Sequence, residues 1–310
     1  MSVRRSLRRS HRGLRRPEPT AGEPAAGPSR ALRLIGTALA NTTLLTALLY
    51  YFGLVYTQTY FIYFRVHYTL LGQPPDEIFG RGVDGMLLPL TGAAGAVLLF
   101  LILTRFLKIR LGEDSWNRLL RSCTPVAGVL GLALLVSSTA IALDPEPLRD
   151  RPGAPGLGFA IGVLMVLFAW RHWTSRSTGS GRSSVAELVT GYVLVSIGLF
   201  WSVGDYSGAV GTSRAYEAAG VIPTRPAATL YSAESLNLTA NGVVQVKCAD
   251  AGAAYKYRYT GLKLLLQSGG QHVFLPANWR ASTGVAFVIP KTDKLRLEFG
   301  PPRSVPPPAC

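Results

Sequence analysis

The stretch from Leu34 to Phe64, LIGTALANTTLLTALLYYFGLVYTQTYFIYF, constrains the chain more than any other. It runs for about thirty residues with no ionisable group except its tyrosines. At about 1.5 Å rise per residue, about twenty of these suffice to cross a hydrocarbon core of about 30 Å. The remainder is rich in Tyr and Phe and suits the far interface, where amphipathic rings keep one end wet. Nine arginines precede it. A segment that is apolar for this length, with a basic tail before it, predicts an uncleaved membrane anchor rather than a removable signal peptide.

Only 16% of the 310 residues are charged and 48% are hydrophobic, yet the formal net charge is +15. A charge of that size invites a nucleic-acid reading. The distribution excludes it, because the cations gather in the N-terminal tail and in two short loops rather than in one patch. No nucleic-acid partner is expected. The lipid bilayer is, and the tail can also touch anionic headgroups.

Four further segments match membrane spans: about Val83–Phe106, Pro125–Leu143, Leu157–Trp170 and Val185–Val203. The fourth of the five is the shortest, near the lower limit for crossing. Loop 105–121 carries Arg105, Lys108, Arg110, Arg118 and Arg121, and loop 171–182 carries Arg171, Arg176 and Arg182. The alternate loops are poorer in cations: 65–84 has Arg65 and Arg81, while 144–156 sets Arg149 and Arg151 against Asp144, Glu146 and Asp150. The alternation predicts a multi-pass cell-membrane protein with its N-terminus cytoplasmic and its C-terminus extracytoplasmic.

After Asp205 the composition changes. Residues 206–227 read as a Gly-, Ser- and Pro-bearing linker. Short β-type runs follow, among them VVQVKC, YKYRY, LKLLLQ, HVFLP and KLRLEF, with Ser268-Gly269-Gly270 as a hairpin turn. The expected fold is thus a membrane α-helical bundle of about five transmembrane helices with a small C-terminal all-β extracytoplasmic domain. Its divisions are a disordered Arg-rich tail over 1–30, the transmembrane domain over 31–205, the linker, the β domain over 228–302 and a tail over 303–310. Cys248 and Cys310 would share an oxidising compartment and could form a bridge, while Cys123 lies by a cytoplasmic membrane end.

Motifs for catalysis are missing: no phosphate-binding loop, nucleophile elbow, HExxH or paired CxxC occurs. The four histidines show no ligand spacing, so neither a metal nor a cofactor is expected. Glu187 completes a capping box, Ser184-Val185-Ala186-Glu187, at the start of the last span. The first external loop, RVHYTLLGQPPDEIFGRGVDG, holds the weak ligand-binding candidates Asp76, Glu77, Arg81 and Asp84. Paired carboxylates there can bind a cation or move protons, whereas the plainer reading is a short interfacial helix with its charges in water. Intramembrane hydroxyls (Thr42, Thr43, Thr46, Ser137, Ser138, Thr139) are the only polar pathway a transporter or channel would have. Small-residue spacings at Gly92 and Gly95, Gly128 and Gly131, and Gly158 and Gly162 permit close helix approach.

Two stretches, YFGLVYTQTYFIYFRVHYTLLG with DEIFGRGVDGMLLPL, and AYKYRYTGLKLLLQSGGQHVFLPANW with VIPKTDKLRLEF, resemble an uncharacterised family of actinobacterial integral membrane proteins. The resemblance implies a multi-pass membrane protein and carries no assigned activity or site. The expectation is therefore a non-enzymatic membrane protein that displays its β domain to bind or sense a ligand, an envelope protein or a second copy of itself. The rival is a transporter or channel, or a subunit of one.

Overall fold

The computed structural model describes residues 28–143, 151–177, 185–250 and 252–302. The expected tails, the helix-capping Ser184 and Cys310 lie outside them. The chain divides into two compact units, Met1–Thr43 and Leu44–Cys310. In the first, the described side chains from Ile35 to Thr43 are exposed, and the Thr42 and Thr43 hydroxyls donate to the carbonyls of Ala38 and Leu39 one turn back, both at 2.9 Å.

Four helices are long and apolar enough to cross a membrane, which suggests a multi-pass membrane protein. They are α1 (Pro28–Tyr63), α2 (Pro75–Leu143), α3 (Ala154–Ser177) and α4 (Val185–Gly220). The count differs from the expected five because the second and third apolar segments fall in one element, α2. That element is broken at Gly112, whose φ of 72° and ψ of 165° leave helical geometry. The expected fourth segment, weakest by length, extends at both ends into the 24-residue α3.

Close backbone contacts set the helix directions. An added Cβ at Gly53 of α1 would lie 1.9 Å from the Ile78 carbonyl oxygen, and one at Gly82 of α2 would lie 1.9 Å from that of Leu49. Glycine at both positions allows this crossing, and the pairing of 53 with 78 and 49 with 82 makes it antiparallel. The Ser207 hydroxyl of α4 donates to the Phe52 carbonyl at 2.6 Å, and Gly211 abuts Tyr56, so α1 and α4 run parallel. Gly198 meets Gly156 and Ala160, while Gly191 meets Leu167, so α3 runs against α4. Gly131 meets Gly162 and Ser138 meets Gly158, so the second part of α2 runs against α3. Followed through these pairs, the two parts of α2 run in opposite senses.

Residues 206–220, expected as linker, are helical to the end of α4. Ser207, Gly211 and Ala215 recur every fourth residue and are all buried, so a stripe of small residues lets α1 approach closely. A short 3-10 turn at Ile222–Thr224 then leads into the sheet.

Six strands make one antiparallel sheet: β1 (Ala227–Ser232), β2 (Val244–Lys247), β3 (Tyr257–Ser268), β4 (Gln271–Pro276), β5 (Phe287–Pro290) and β6 (Leu295–Gly300). Their order is β5-β4-β3-β1-β6, with β2 also paired to β3. The last three residues of YKYRY and the run LKLLLQ fall in the single strand β3, and the pairing shifts between Leu264 and Leu266. Gly269 and Gly270, at φ 55° and 75°, supply the two left-handed residues of the β3–β4 hairpin turn. Both faces of the sheet are covered. Phe274 packs with Leu230, Tyr259, Leu262 and Ile289, whereas its neighbours Val273 and Leu275 pack with Phe61 and Phe64 of the helical part. Such double cover explains why β4 is buried at nearly every position instead of alternating. The Tyr259 hydroxyl, fully buried, accepts the Leu236 N–H at 2.7 Å.

Candidate functional site

The sheet-side end of the bundle is built on an aromatic column. Phe52, Tyr56, Tyr60 and Phe64 recur every fourth residue of α1 and therefore line one face, with successive centroids 6.3, 6.0 and 5.4 Å apart. The column ends on Trp279 of the sheet domain, 5.1 Å from Phe64. Phe52, Phe61 and Phe64 are at most 1% exposed. Phe52 and Tyr56 belong to one cluster with Leu48, Met86 and Val203, whereas Phe61 and Phe64, with Tyr60 packed on them, share a core with Val273, Leu275 and Trp279 of the sheet domain.

Three polar contacts reinforce this core. The Arg65 guanidinium donates to the carbonyls of Ala281 and Ser282 at 3.2 and 3.0 Å. Ser268 donates its hydroxyl to Glu77 Oε2 at 2.5 Å. Between them the hairpin turn is seated so closely that a Cβ on Gly269 would lie 1.9 Å from the Leu71 carbonyl oxygen. Elsewhere on β3, Lys263 is 3% exposed and donates to the carbonyls of Arg225 and Pro302 at 2.6 and 2.8 Å. Burial pushes its pKa below the usual lysine value. Arg225 in turn donates to the carbonyls of Leu264 and Leu265.

Beside the aromatic column lies a cavity of about 500 Å³. Helix α1 contributes Tyr56, Tyr60 and Phe61, and α2 contributes Arg81, Asp84 and Leu88. Tyr206, Val210 and Arg214 of α4 form another wall, and Leu265 and Leu266 of β3 close the top. Arg81 turns towards α1. It donates to Thr57 Oγ1 at 3.3 Å and stands 5.8 Å from the Phe61 ring centroid. Arg214 is already paired with Glu217 at 2.8 Å. Neither Arg81 nor Asp84 forms an ion pair among the described residues. A half-buried guanidinium beside an aromatic ring, an exposed carboxylate at the rim and apolar walls together suit an amphipathic ligand.

The four candidates from the first loop thus divide. Arg81 and Asp84 line the cavity, Glu77 holds the hairpin, and Asp76 stays exposed in the first turn of α2, where a carboxylate complements the helix dipole. Sequence reasoning missed Tyr206, Val210 and Arg214, which lie in the segment read as linker. The i, i+4 spacing of Ser207, Gly211 and Ala215 was the signal that it continues as helix. Leu265 and Leu266 carried no signal of their own.

Among the described residues, no three of His, Cys, Asp or Glu gather as metal ligands. His67 contacts the Thr69 hydroxyl at 2.7 Å, and His272 lies buried in β4, stacked 6.0 Å from Phe274. Cys248 is disulfide-bonded and Cys123 is free and exposed. The hydroxyls of Ser137 and Thr139 donate to carbonyls of their own helix, as do Thr42 and Thr43. Ser138 packs beside Gly158. Of the small-residue pairs, Gly128 and Gly131 meet α3 and Gly158 and Gly162 meet α2, whereas Gly92 and Gly95 have open space around them.

Compared with known protein families, curated proteins and solved structures, the chain matches none.

Proposed function

We propose that the chain is a non-enzymatic integral protein of the cell membrane that binds a ligand at its outer face, in the cavity between the bundle and the sheet. The carrying observation is the pair Arg81 and Asp84, both lining that cavity and neither in an ion pair among the described residues. The half-buried Arg81 guanidinium, held against Thr57 and Phe61, and the exposed Asp84 carboxylate at the cavity rim favour a role in binding. The sheet domain then serves as a fixed roof rather than a tethered display module, because its core is continuous with that of α1 and α4.

The proposed topology has five crossings, with the N-terminus cytoplasmic and the C-terminus extracytoplasmic. Two independent observations support it. Arginine and lysine alternate between loops in the positive-inside sense, and the opposite senses of the two parts of α2 fit two crossings joined at Gly112. The kinship with an actinobacterial membrane family is proposed on the two sequence stretches alone. A transporter role finds less support, since the candidate hydroxyls largely bond within their own helices.

Two measurements test this reading. Reporter fusions at Ser180 and at the C-terminus should report inside and outside respectively, and a cytoplasmic C-terminus would sink the topology. Native mass spectrometry of the purified full chain should show a bound small molecule that is lost in Leu266→Trp, which fills the cavity from β3. If the variant retains the same adduct, the site is elsewhere.

A further inference from the structure

We propose that this cavity takes a zwitterionic phospholipid headgroup, one joining a phosphate to an ammonium, which enters sideways from the outer leaflet. The inference rests on reading the cavity as a ligand site and adds the class of ligand.

Charge decides the headgroup. Arg214 is met by Glu217 at 2.8 Å, so among the described residues the cavity lining keeps one cation and one anion outside any ion pair, the half-buried Arg81 and the exposed Asp84 at its rim. The two stand three residues apart on α2, where Cβ atoms are neighbours at about 5–6 Å. They nevertheless do not pair, because Arg81 is drawn to Thr57 and Phe61. A simple anion at Arg81 would face the Asp84 carboxylate, and a simple cation at Asp84 would face the guanidinium. A headgroup with both charges a two-carbon link apart satisfies both residues at once. Arginine suits the phosphate, since its guanidinium donates in a planar fork.

Shape and depth favour a lipid over a free zwitterion. Arg81 and Asp84 sit in the second and third turns of α2, near the headgroup level of the proposed orientation. One turn deeper, Leu88 lines the same cavity and is 80% exposed, so the cavity opens onto the apolar flank of α2. Val210, Leu265 and Leu266 continue the apolar wall. About 500 Å³ falls in the usual range for small-ligand sites, which suits a headgroup and glycerol with the acyl chains left in the bilayer.

The test uses the full chain in micelles of an uncharged detergent, titrated with dioleoylphosphatidylethanolamine, dioleoylphosphatidylglycerol and the water-soluble glycerophosphoethanolamine. The expected result is saturable binding of the ethanolamine lipid, about tenfold or more tighter than the glycerol lipid and than the soluble headgroup. Asp84→Asn should abolish the preference while leaving binding of the glycerol lipid unchanged or tighter. Arg81→Gln should weaken both lipids about tenfold, and Arg81→Lys should recover part of that loss. An unchanged near-ultraviolet spectrum of the full chain, to which its five tryptophans contribute, certifies the fold of each variant. Tighter binding of the glycerol lipid, still weakened by Arg81→Gln, would overturn the zwitterion while keeping the cavity as a site. Equal binding of the soluble headgroup would overturn the lipid. Binding indifferent to Arg81→Gln, Asp84→Asn and Leu266→Trp alike would overturn the cavity as well.

Discussion

The sheet-side end of the bundle and the middle of α2 are built from similar residues and packed in opposite ways. At the sheet-side end, Phe52, Thr57, Phe61 and Phe64 are at most 1% exposed, and helices, hairpin and Trp279 share one core. In the middle of α2, Leu98 to Leu103 are each more than half exposed, and Gly92 and Gly95 touch nothing. The first region satisfies its side chains within the protein, as a water-soluble core does, and can hold polar groups in fixed places. The second relies on an apolar surrounding and gains little from internal contacts, as expected where lipid and side chain are equally apolar. A site with defined geometry belongs to the first region, and the Arg81–Asp84 cavity is there.

Glycine substitutions should break the comparison most sharply. Gly53→Leu must displace the α2 backbone, since even a Cβ would approach the Ile78 carbonyl to 1.9 Å. The expected loss is about 3 kcal/mol or more, large enough to abolish the folded state in a thermal-unfolding assay. Gly92→Leu adds the same atoms into open space and should shift stability by less than about 0.5 kcal/mol. Equal losses at the two sites would mean that the bare face of α2 is covered in the assembled protein.

Next in size is Trp279→Ala. This ring is 8% exposed and contacts both Tyr63 and Phe64, so its removal should cost about 3–5 kcal/mol. Because the core it leaves is shared, limited proteolysis should then cut the sheet domain and the sheet-side end of α1 together. Cleavage confined to the strands would show that the two parts fold independently.

A smaller effect is expected where the hairpin meets α2. Ser268→Ala removes the hydroxyl that Glu77 accepts and should cost about 1–3 kcal/mol, with the carboxylate left underbonded. The double variant with Glu77→Gln should cost less than the sum of the single losses, and strict additivity would show that the contact contributes nothing.

Much of this contrast was legible in the sequence. Apolar length marked the helices, and β-type runs with a Gly-Gly turn marked the sheet. The composition of residues 206–220 concealed the extension of α4, because small residues that signal a loop in water signal close packing between apolar helices. Arg81 and Asp84 were legible as charges near a membrane surface. Their isolation was not, because it follows from Arg81 turning to Thr57 and Phe61 and Arg214 turning to Glu217, which spacing along the chain does not encode. The seating of Gly269 on Leu71 is likewise a long-range match between two turns, each of which looked local.

The finest test of the shared core is its response to acid. His272 of β4 is 6% exposed, and burial, aided by the nearby Lys291 charge, holds its pKa below the usual 6.5. Between that depressed value and 6.5 the unfolded chain binds the proton and the folded chain does not. Stability therefore rises with pH across this window, and His272 destabilises the fold as pH falls through it. Thermal unfolding of the full chain followed between pH 7.5 and 5 should show this loss, and His272→Gln should flatten that part of the profile without changing stability at the alkaline end by a comparable amount. If the variant and the parent lose stability in parallel, His272 reaches water through a moving hairpin, and the rigidity ascribed to the sheet-side end would have to be abandoned at β4.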